Sequence, residues 1–299
     1  MFMRLSSYLL IPVLFTSFIA KGQVNSGLFV QDSLKLAGAG YAFTEGCSRD
    51  AEGNVFFTDQ PNDKIWKYDV SSGGMTLFMD KTGRSNGTYF DKKGNLLVCA
   101  DEKGAIWSVS PDGQVSILLD QFNGKQFNGP NDLWINNKGA IYFTDPYYQR
   151  DYWTRTKPDL GSQDVYYLAK GATAAVKVAD GLKQPNGIVG TPDGRFLYVA
   201  DIGDGKTYRY EILKNGNLAS RKLIAEKGSD GMTLDERGNL YLTGGEGVNI
   251  FDSTGLALGT IKVPKGASNV CFAGKNRKLL FITAKDAVYT IPMQVSGVE

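Results

Sequence analysis

The chain contains no histidine. That excludes Ser-His-Asp and Cys-His catalysis, imidazole-bound zinc and any histidine proton shuttle. Asp, Glu, Lys, Tyr or a bound water is left as the general base. A metal site would be built from oxygen, which favours Ca²⁺ or Mg²⁺. Cysteine is nearly as scarce. Cys47, Cys99 and Cys271 are an odd number at wide spacings, so there is no disulfide framework and one pair at most can bridge. No block of like charge and no helical 3.6-residue period is found beyond the N-terminus.

One apolar run exists, Tyr8 to Ala20, preceded by Arg4 and followed by the small residues of Ala20-Lys21-Gly22. It is too short to span a bilayer comfortably and carries Pro12, so residues 1–22 read as a secretory signal. The expected compartment is periplasmic or extracellular. Removing Arg4 and Lys21 leaves 31 basic residues against 31 acidic ones. A neutral chain without a basic patch is a poor partner for nucleic acid or an anionic membrane. Residues 23–299 are expected to form a single domain.

Against these absences stands an abundance of glycine, 36 residues of 299, and a repeat. Six segments share one pattern: a polar residue often followed by Gly, a few apolar residues, a turn with Gly, then a strand. They begin at Glu45, Asn86, Asn131, Asn186, Asp230 and Asn269, with intervals of 41, 45, 55, 44 and 39 residues. A period near forty with short strands and hairpin turns predicts an all-β fold, a six-bladed β-propeller. The stretch from about Val24 to Phe43 is available to supply the missing strand of the last blade and so remove an exposed sheet edge. The longest interval contains residues 147–161, YYQRDYWTRTKPDLG, expected as a loop over one face. Its Tyr147, Tyr148, Tyr152 and Trp153 either line a pocket or pack on the blades.

The six leading residues precede the innermost strands and so surround the mouth of the central channel. All carry a side-chain oxygen and two are acidic. A hard cation with six to eight oxygen ligands suits such a ring, which would be unfavourable to bury empty. Asn-Gly and Asp-Gly are also common turn dipeptides. The hairpin turns, however, are expected elsewhere in the repeat, at Ala51-Glu52-Gly53, Lys92-Lys93-Gly94 and Pro192-Asp193-Gly194. A second recurrent acid, at Asp59, Asp101, Asp145 and Asp201, ends the second strand of four repeats. That recurrence predicts a structural cap, less firmly for Asp145 and Asp201.

The segment from Leu119 to Tyr148, with Gly-Pro-Asn-Asp followed by Tyr-Phe-Thr-Asp-Pro, resembles the bacterial gluconolactonases of the senescence-marker-protein/regucalcin/gluconolactonase family. Glu45-Gly46, Pro185-Asn186-Gly187 and Asp230-Gly231 match the family in order and spacing. The resemblance implies a six-bladed propeller with one catalytic divalent metal on its axis. It places the metal ligands at Glu45, Asn186 and Asp230, and a fourth at Asn131 as in the related diisopropyl-fluorophosphatase-like arrangement. Arg84-Ser85-Asn86 matches the family's Arg-x-Asn, whose members contact substrate hydroxyls. Cys47 stands where the family usually has Pro.

The expected activity is calcium-dependent opening of a sugar lactone, with Zn²⁺, Mn²⁺ or Mg²⁺ as other possible metals. The metal polarises the carbonyl and Asp230, or secondarily Glu45, acts as the base; Arg84, Asn86 and Asn131 orient the sugar. Two other readings stay open: a phosphotriesterase or other esterase on the same metal site, and a non-enzymatic binding or scaffold propeller with a structural ion.

Overall fold

The computed structural model describes residues 27–298. Residues 1–22, read from the sequence as a secretory signal, lie outside them. The described residues form six four-stranded antiparallel sheets and one small hairpin, Gln121–Phe122 with Lys125–Gln126. Blade 1 consists of Thr44–Arg49, Val55–Asp59, Lys64–Tyr68 and Met75–Asp80, counted from the axis outward. Blade 2 starts at Ser85–Phe90, blade 3 at Leu133–Ile135, blade 4 at Pro185–Gly190 and blade 5 at Met232–Leu234. Helix is confined to single 3-10 turns such as Gln60–Asn62 and Asp101–Lys103.

Blade 6 draws on both ends of the chain. Asn269–Ala273, Leu279–Ala284 and Ala287–Pro292 supply three strands, and Lys35–Ala39 pairs with the last of them as the outermost. Lys35 lies opposite Thr290 and Ala39 opposite Ala287. The closing interface between blades 6 and 1 is aromatic. Phe281 stands 5.5 Å from Phe57 and 5.3 Å from Tyr68, ring centre to ring centre.

Burial follows the radius. The second strands Val55–Asp59, Leu96–Ala100 and Ile141–Asp145 are buried at every residue, because each blade packs both faces against its neighbours. The outermost strands, such as Val115–Leu119, are largely exposed. Apolar side chains on the second strands therefore form the inter-blade core, and their Val, Ile and Phe content suits a pleated surface buried on both sides. Cys47, Cys99 and Cys271 are buried within it and form no disulfide among the described residues.

The hairpin turns lie at the opposite end of the blades from the leading residues. There Asp50, Asp91, Asn136, Asp235 and Asp252 each accept an N–H four residues on, as at Asn54 N to Asp50 Oδ1, 2.8 Å. The Asn-Gly and Asp-Gly pairs of the leading positions are not turns. Their glycines permit close approach between adjacent inner strands. A Cβ on Gly87 would stand 2.6 Å from the Asn131 carbonyl oxygen, and one on Gly187 would stand 2.8 Å from that of Asp230. Threonines of the second strands brace the same contact. Thr58 donates to the Asn86 carbonyl at 3.1 Å and Thr144 to the Asn186 carbonyl at 2.7 Å.

Candidate functional site

Those braces place the leading residues around one mouth of the channel. Glu45, Asn86, Asn131 and Asn186 are all at most 5% exposed, while Asp230 is only partly buried. In blades 1, 2 and 4 the pairing slips at the leading residue, between Glu45 and Ser48, Ser85 and Thr88, and Pro185 and Ile188. Such bulges re-aim side chains out of the regular pleat. Blade 6 departs by one residue from the sequence expectation. The Thr243 hydroxyl donates to the Ser268 carbonyl at 2.9 Å, so Ser268 and not Asn269 takes the sixth place. Asn269 still reaches the ring, its Nδ2 lying 3.4 Å from Glu45 Oε2.

Three of the four expected metal ligands meet directly. Asn186 Nδ2 donates to Asp230 Oδ1 at 2.8 Å and to the Tyr148 hydroxyl at 2.9 Å. The Glu45 and Asp230 carboxyls lie within hydrogen-bonding reach of each other. Asn131, the fourth, and Asn86 join the ring through backbone, with Gly87 N donating to Asn131 O at 2.7 Å. Among the described residues, the side-chain amides of Asn86 and Asn131 take no hydrogen-bond partner. Arg84 stays on the rim. Its guanidinium lies 4.4 Å from the Tyr152 ring centre and donates to Pro61 O.

The electrostatics of this cluster are those of acids deprived of water. Burial pushes the Glu45 carboxyl well above the usual carboxylate range, and the neighbouring Asp230 and Asp132 carboxyls push it further. Burial also raises Asp230, against the hydrogen bonds from Glu45 and Asn186 and the positive charge of Arg150. One proton shared between the pair relieves the repulsion. Beside them, Asn186 Oδ1 is buried without any hydrogen-bond partner. A buried carbonyl oxygen left without a partner is unfavourable by about 1–3 kcal/mol unless a donor or a cation meets its lone pairs. Two carboxylates and an unpartnered amide oxygen fit a hard divalent cation by donor chemistry, and offer nothing to a soft one.

The loop of residues 147–161 covers this mouth. Arg155 anchors it, donating to Phe127 O at 2.9 Å and to Asn128 O, and lying 3.8 Å from the Trp153 ring centre. Tyr147 and Trp153 pack on each other, whereas Tyr148 points its hydroxyl at Asn186. The aromatic residues thus divide between both expected roles. Arg150 is the residue that sequence reasoning missed. It bridges to Asp101 Oδ2 at 3.1 Å and lies over the Tyr148 ring at 5.3 Å. Only the unusual length of the third interval signalled this loop.

Three of the four recurrent aspartates are structural caps. Asp59 accepts the N–H groups of Ala42 and Phe43, Asp145 those of Asn128 and Gly129, and Asp201 those of Lys183 and Gln184. In each case the donors stand three and two residues before the ring residue. Asp101 is different. Ala100 pairs opposite Ser85, as Asp59 pairs opposite Thr44, so Asp101 is one residue beyond the cap position. It binds Arg150, Tyr152 and Gln60 instead. Asp132 of the Gly-Pro-Asn-Asp motif is also structural, accepting Leu133 N at 2.9 Å and Ile188 N of the next blade at 3.3 Å.

The fold and site define a six-bladed propeller with an oxygen-lined, partly acidic site at one channel mouth. Residues 43–286 match the family described as SMP-30/Gluconolactonase/LRE-like region, and the chain belongs to that family. The gluconolactonase of Zymomonas mobilis is 28% identical over 300 residues, covering 90% of this chain and 84% of the relative. A lactonase, drp35, of Staphylococcus haemolyticus is 24% identical, covering 74% and 69%. Among solved structures, a gluconolactonase from Xanthomonas campestris superposes with a TM-score of 0.82 at 29% identity, over 87% of this chain and 89% of that one. A calcium-binding regucalcin from Agrobacterium tumefaciens shares the fold, with a TM-score of 0.73 at 18% identity over 88% and 94%.

Proposed function

We propose that the chain is a metal-dependent hydrolase that opens a sugar lactone. Glu45, Asn131, Asn186 and Asp230 would hold the cation, and Ca²⁺ suits their all-oxygen set. The observation that carries this reading is the buried, unpartnered Asn186 Oδ1 beside the Glu45–Asp230 pair. The relatives named gluconolactonase and lactonase supply the substrate class. A bound divalent cation supplies a Lewis acid for a lactone carbonyl.

The chain's own residues supply the remainder. Asp230 is the ring acid that is only partly buried, and its raised affinity for protons suits it to take one from the water that attacks the carbonyl carbon. Tyr148 fixes the amide of Asn186, so that its oxygen and not its nitrogen is left free. Asn86 and Asn131, with unengaged amides, orient the sugar hydroxyls, and Arg84 on the rim binds those farther out. The 147–161 loop limits water over this mouth. Export to the periplasm or beyond accords with the N-terminal apolar run.

The test is thermal unfolding and turnover of chelator-stripped protein on a panel of lactones and phosphotriesters, with Ca²⁺, Zn²⁺, Mn²⁺ or Mg²⁺ restored. The expected result is a higher melting temperature and lactone opening on restoring Ca²⁺. Calcium affinity should also rise with pH, because the proton held on Glu45 must leave before the metal binds. Turnover of phosphotriesters alone would move the activity to another ester class. No turnover with any metal would leave a binding protein.

A further inference from the structure

Blades 5 and 6 break the aspartate pattern of the mouth. In blade 5, Met232 pairs opposite Leu242, as Leu133 pairs opposite Phe143 in blade 3, so Gly244 occupies the place that Asp145 fills. In blades 1, 3 and 4 the aspartate at this place binds two backbone N–H groups. The corresponding pair in blade 5 belongs to Lys227 and Gly228, three and two residues before Asp230. No oxygen of the described residues accepts either one. Two N–H groups whose counterparts in blades 1, 3 and 4 hold a carboxylate are here unclaimed.

A cavity of about 430 Å³ opens at this spot, bounded by Lys227, Gly228, Gly244, Lys265 and Lys285 and reaching Asp230. The Lys227 side chain runs beside the gap, its Cε 3.8 Å from where a Cβ on Gly244 would stand. Lys265 is engaged by Asp286 at 2.7 Å, whereas Lys227 and Lys285 form no ion pair among the described residues. Asp230 is the acid in the cavity wall, and Asp286, the partner of Lys265, lies outside that wall. Asp230, the one ring residue not fully buried, lines this cavity.

We propose that this cavity binds an anionic oxyacid group of the substrate, a carboxylate or a phosphate, in the place of the missing aspartate. The substrate is then an acidic sugar lactone, its anionic group over blade 5 and its ester at Asp230. Oxyanions suit paired backbone N–H groups and lysine better than any neutral hydroxyl does, since charge-assisted hydrogen bonds are roughly twice as strong. This inference rests on the lactone-opening reading above.

The test compares kcat/KM for glucono-1,5-lactone, its 6-phosphate and a glucarolactone carrying a free carboxylate. Wild-type protein should favour at least one anionic lactone over the neutral one by about tenfold or more. Whichever anionic lactone gains more identifies the group. Gly244→Asp returns the carboxylate of the repeat to a backbone with room for it, and should bring that ratio to one or below. The neutral, isosteric Gly244→Asn should lower it less, and Lys227→Met should lower it by several fold. A wild-type ratio at or below one for both anionic lactones, or a ratio that Gly244→Asp leaves unchanged, would overturn the proposal. Calorimetry with gluconate and 6-phosphogluconate reads the cavity without turnover. Tighter binding of the phosphorylated acid, lost in Gly244→Asp, upholds the anion site even where no lactone opens, an outcome that defeats the lactonase reading alone. Equal binding of gluconate, 6-phosphogluconate and glucarate, whose second carboxylate tests the other oxyacid, defeats the anion site.

Discussion

Asp201 in blade 4 and Asp101 in blade 2 both follow the apolar residues of a second strand, and both are almost wholly buried. Asp201 accepts the N–H groups of Lys183 and Gln184 at 2.8 Å each and so fixes the chain entering the ring at Asn186. Asp101, one residue beyond the end of its strand, turns instead to Arg150 and Tyr152 of the covering loop. The backbone it would have capped is served from blade 1, where Asp63 accepts Arg84 N at 2.6 Å and the Thr82 hydroxyl at 3.0 Å. A one-residue shift in a strand sends a side chain to the other face. Once Asp63 had taken over the cap, Asp101 was free to hold a loop. The comparison separates the acids of this mouth into those that hold backbone and those that act toward the axis.

That division is testable by substitution, and Asp230 should show the largest effect. Asp230→Asn keeps an oxygen and removes a charge and a base. At saturating Ca²⁺ its lactone turnover should fall by about 10²–10⁴-fold, the range for a positioned general base, with the melting temperature close to wild type. Near-normal turnover in a metal-loaded Asp230→Asn chain would remove Asp230 from the mechanism. Asp201→Ala should behave in the opposite way. Two part-buried N–H groups lose their acceptor, so stability in urea unfolding should fall by about 1–3 kcal/mol while turnover per folded molecule stays near wild type. A drop in turnover without loss of stability would place Asp201 among the functional acids.

Asp101→Asn sharpens the contrast at the smallest scale. Its partner Arg150 keeps one hydrogen bond but loses the opposing charge, beside a site where Arg150 counters the Asp230 carboxylate. Turnover should fall several fold, and its pH profile should shift because Asp230 feels a displaced Arg150; the melting temperature should move less than in Asp201→Ala. An unchanged pH profile together with lowered stability would make Asp101 a cap after all.

The six-fold repeat, the closing strand and five of the six ring residues were legible in the sequence because each recurs in a fixed place in a forty-residue unit. Errors arose where one residue is gained or lost. The segment Asn95–Asp101 is one residue longer than Asn54–Asp59, which carries Asp101 past the cap position. In blade 6 no Asn-Gly pair marks the ring residue, so Ser268 was concealed behind Asn269. Tyr148 was legible only as one of two alternatives and Arg150 not at all, because the loop belongs to no repeat. Spacing cannot say which of its side chains turns inward. Arg84 illustrates the same limit: its motif indicated substrate, while its guanidinium rests on Tyr152. Cys47, where the family has Pro, brings its Sγ to 3.8 Å from Asn269 Oδ1, so that departure touches the support of Glu45.

The strand Lys35–Ala39 gives the ring a latch that only a nearly finished chain can close. Its partner Ala287–Pro292 lies at the far end of the sequence, so the contact that closes the ring is among the most distant along the chain. Such non-local closure is slow. Until it happens, the outer edge of Ala287–Pro292 is open to pairing with another molecule. After closure every blade is clasped on both sides, and no terminal blade is left from which the circle can peel. The circle that carries the oxygen ring at its axis is thus closed by a strand at the outer rim of the molecule.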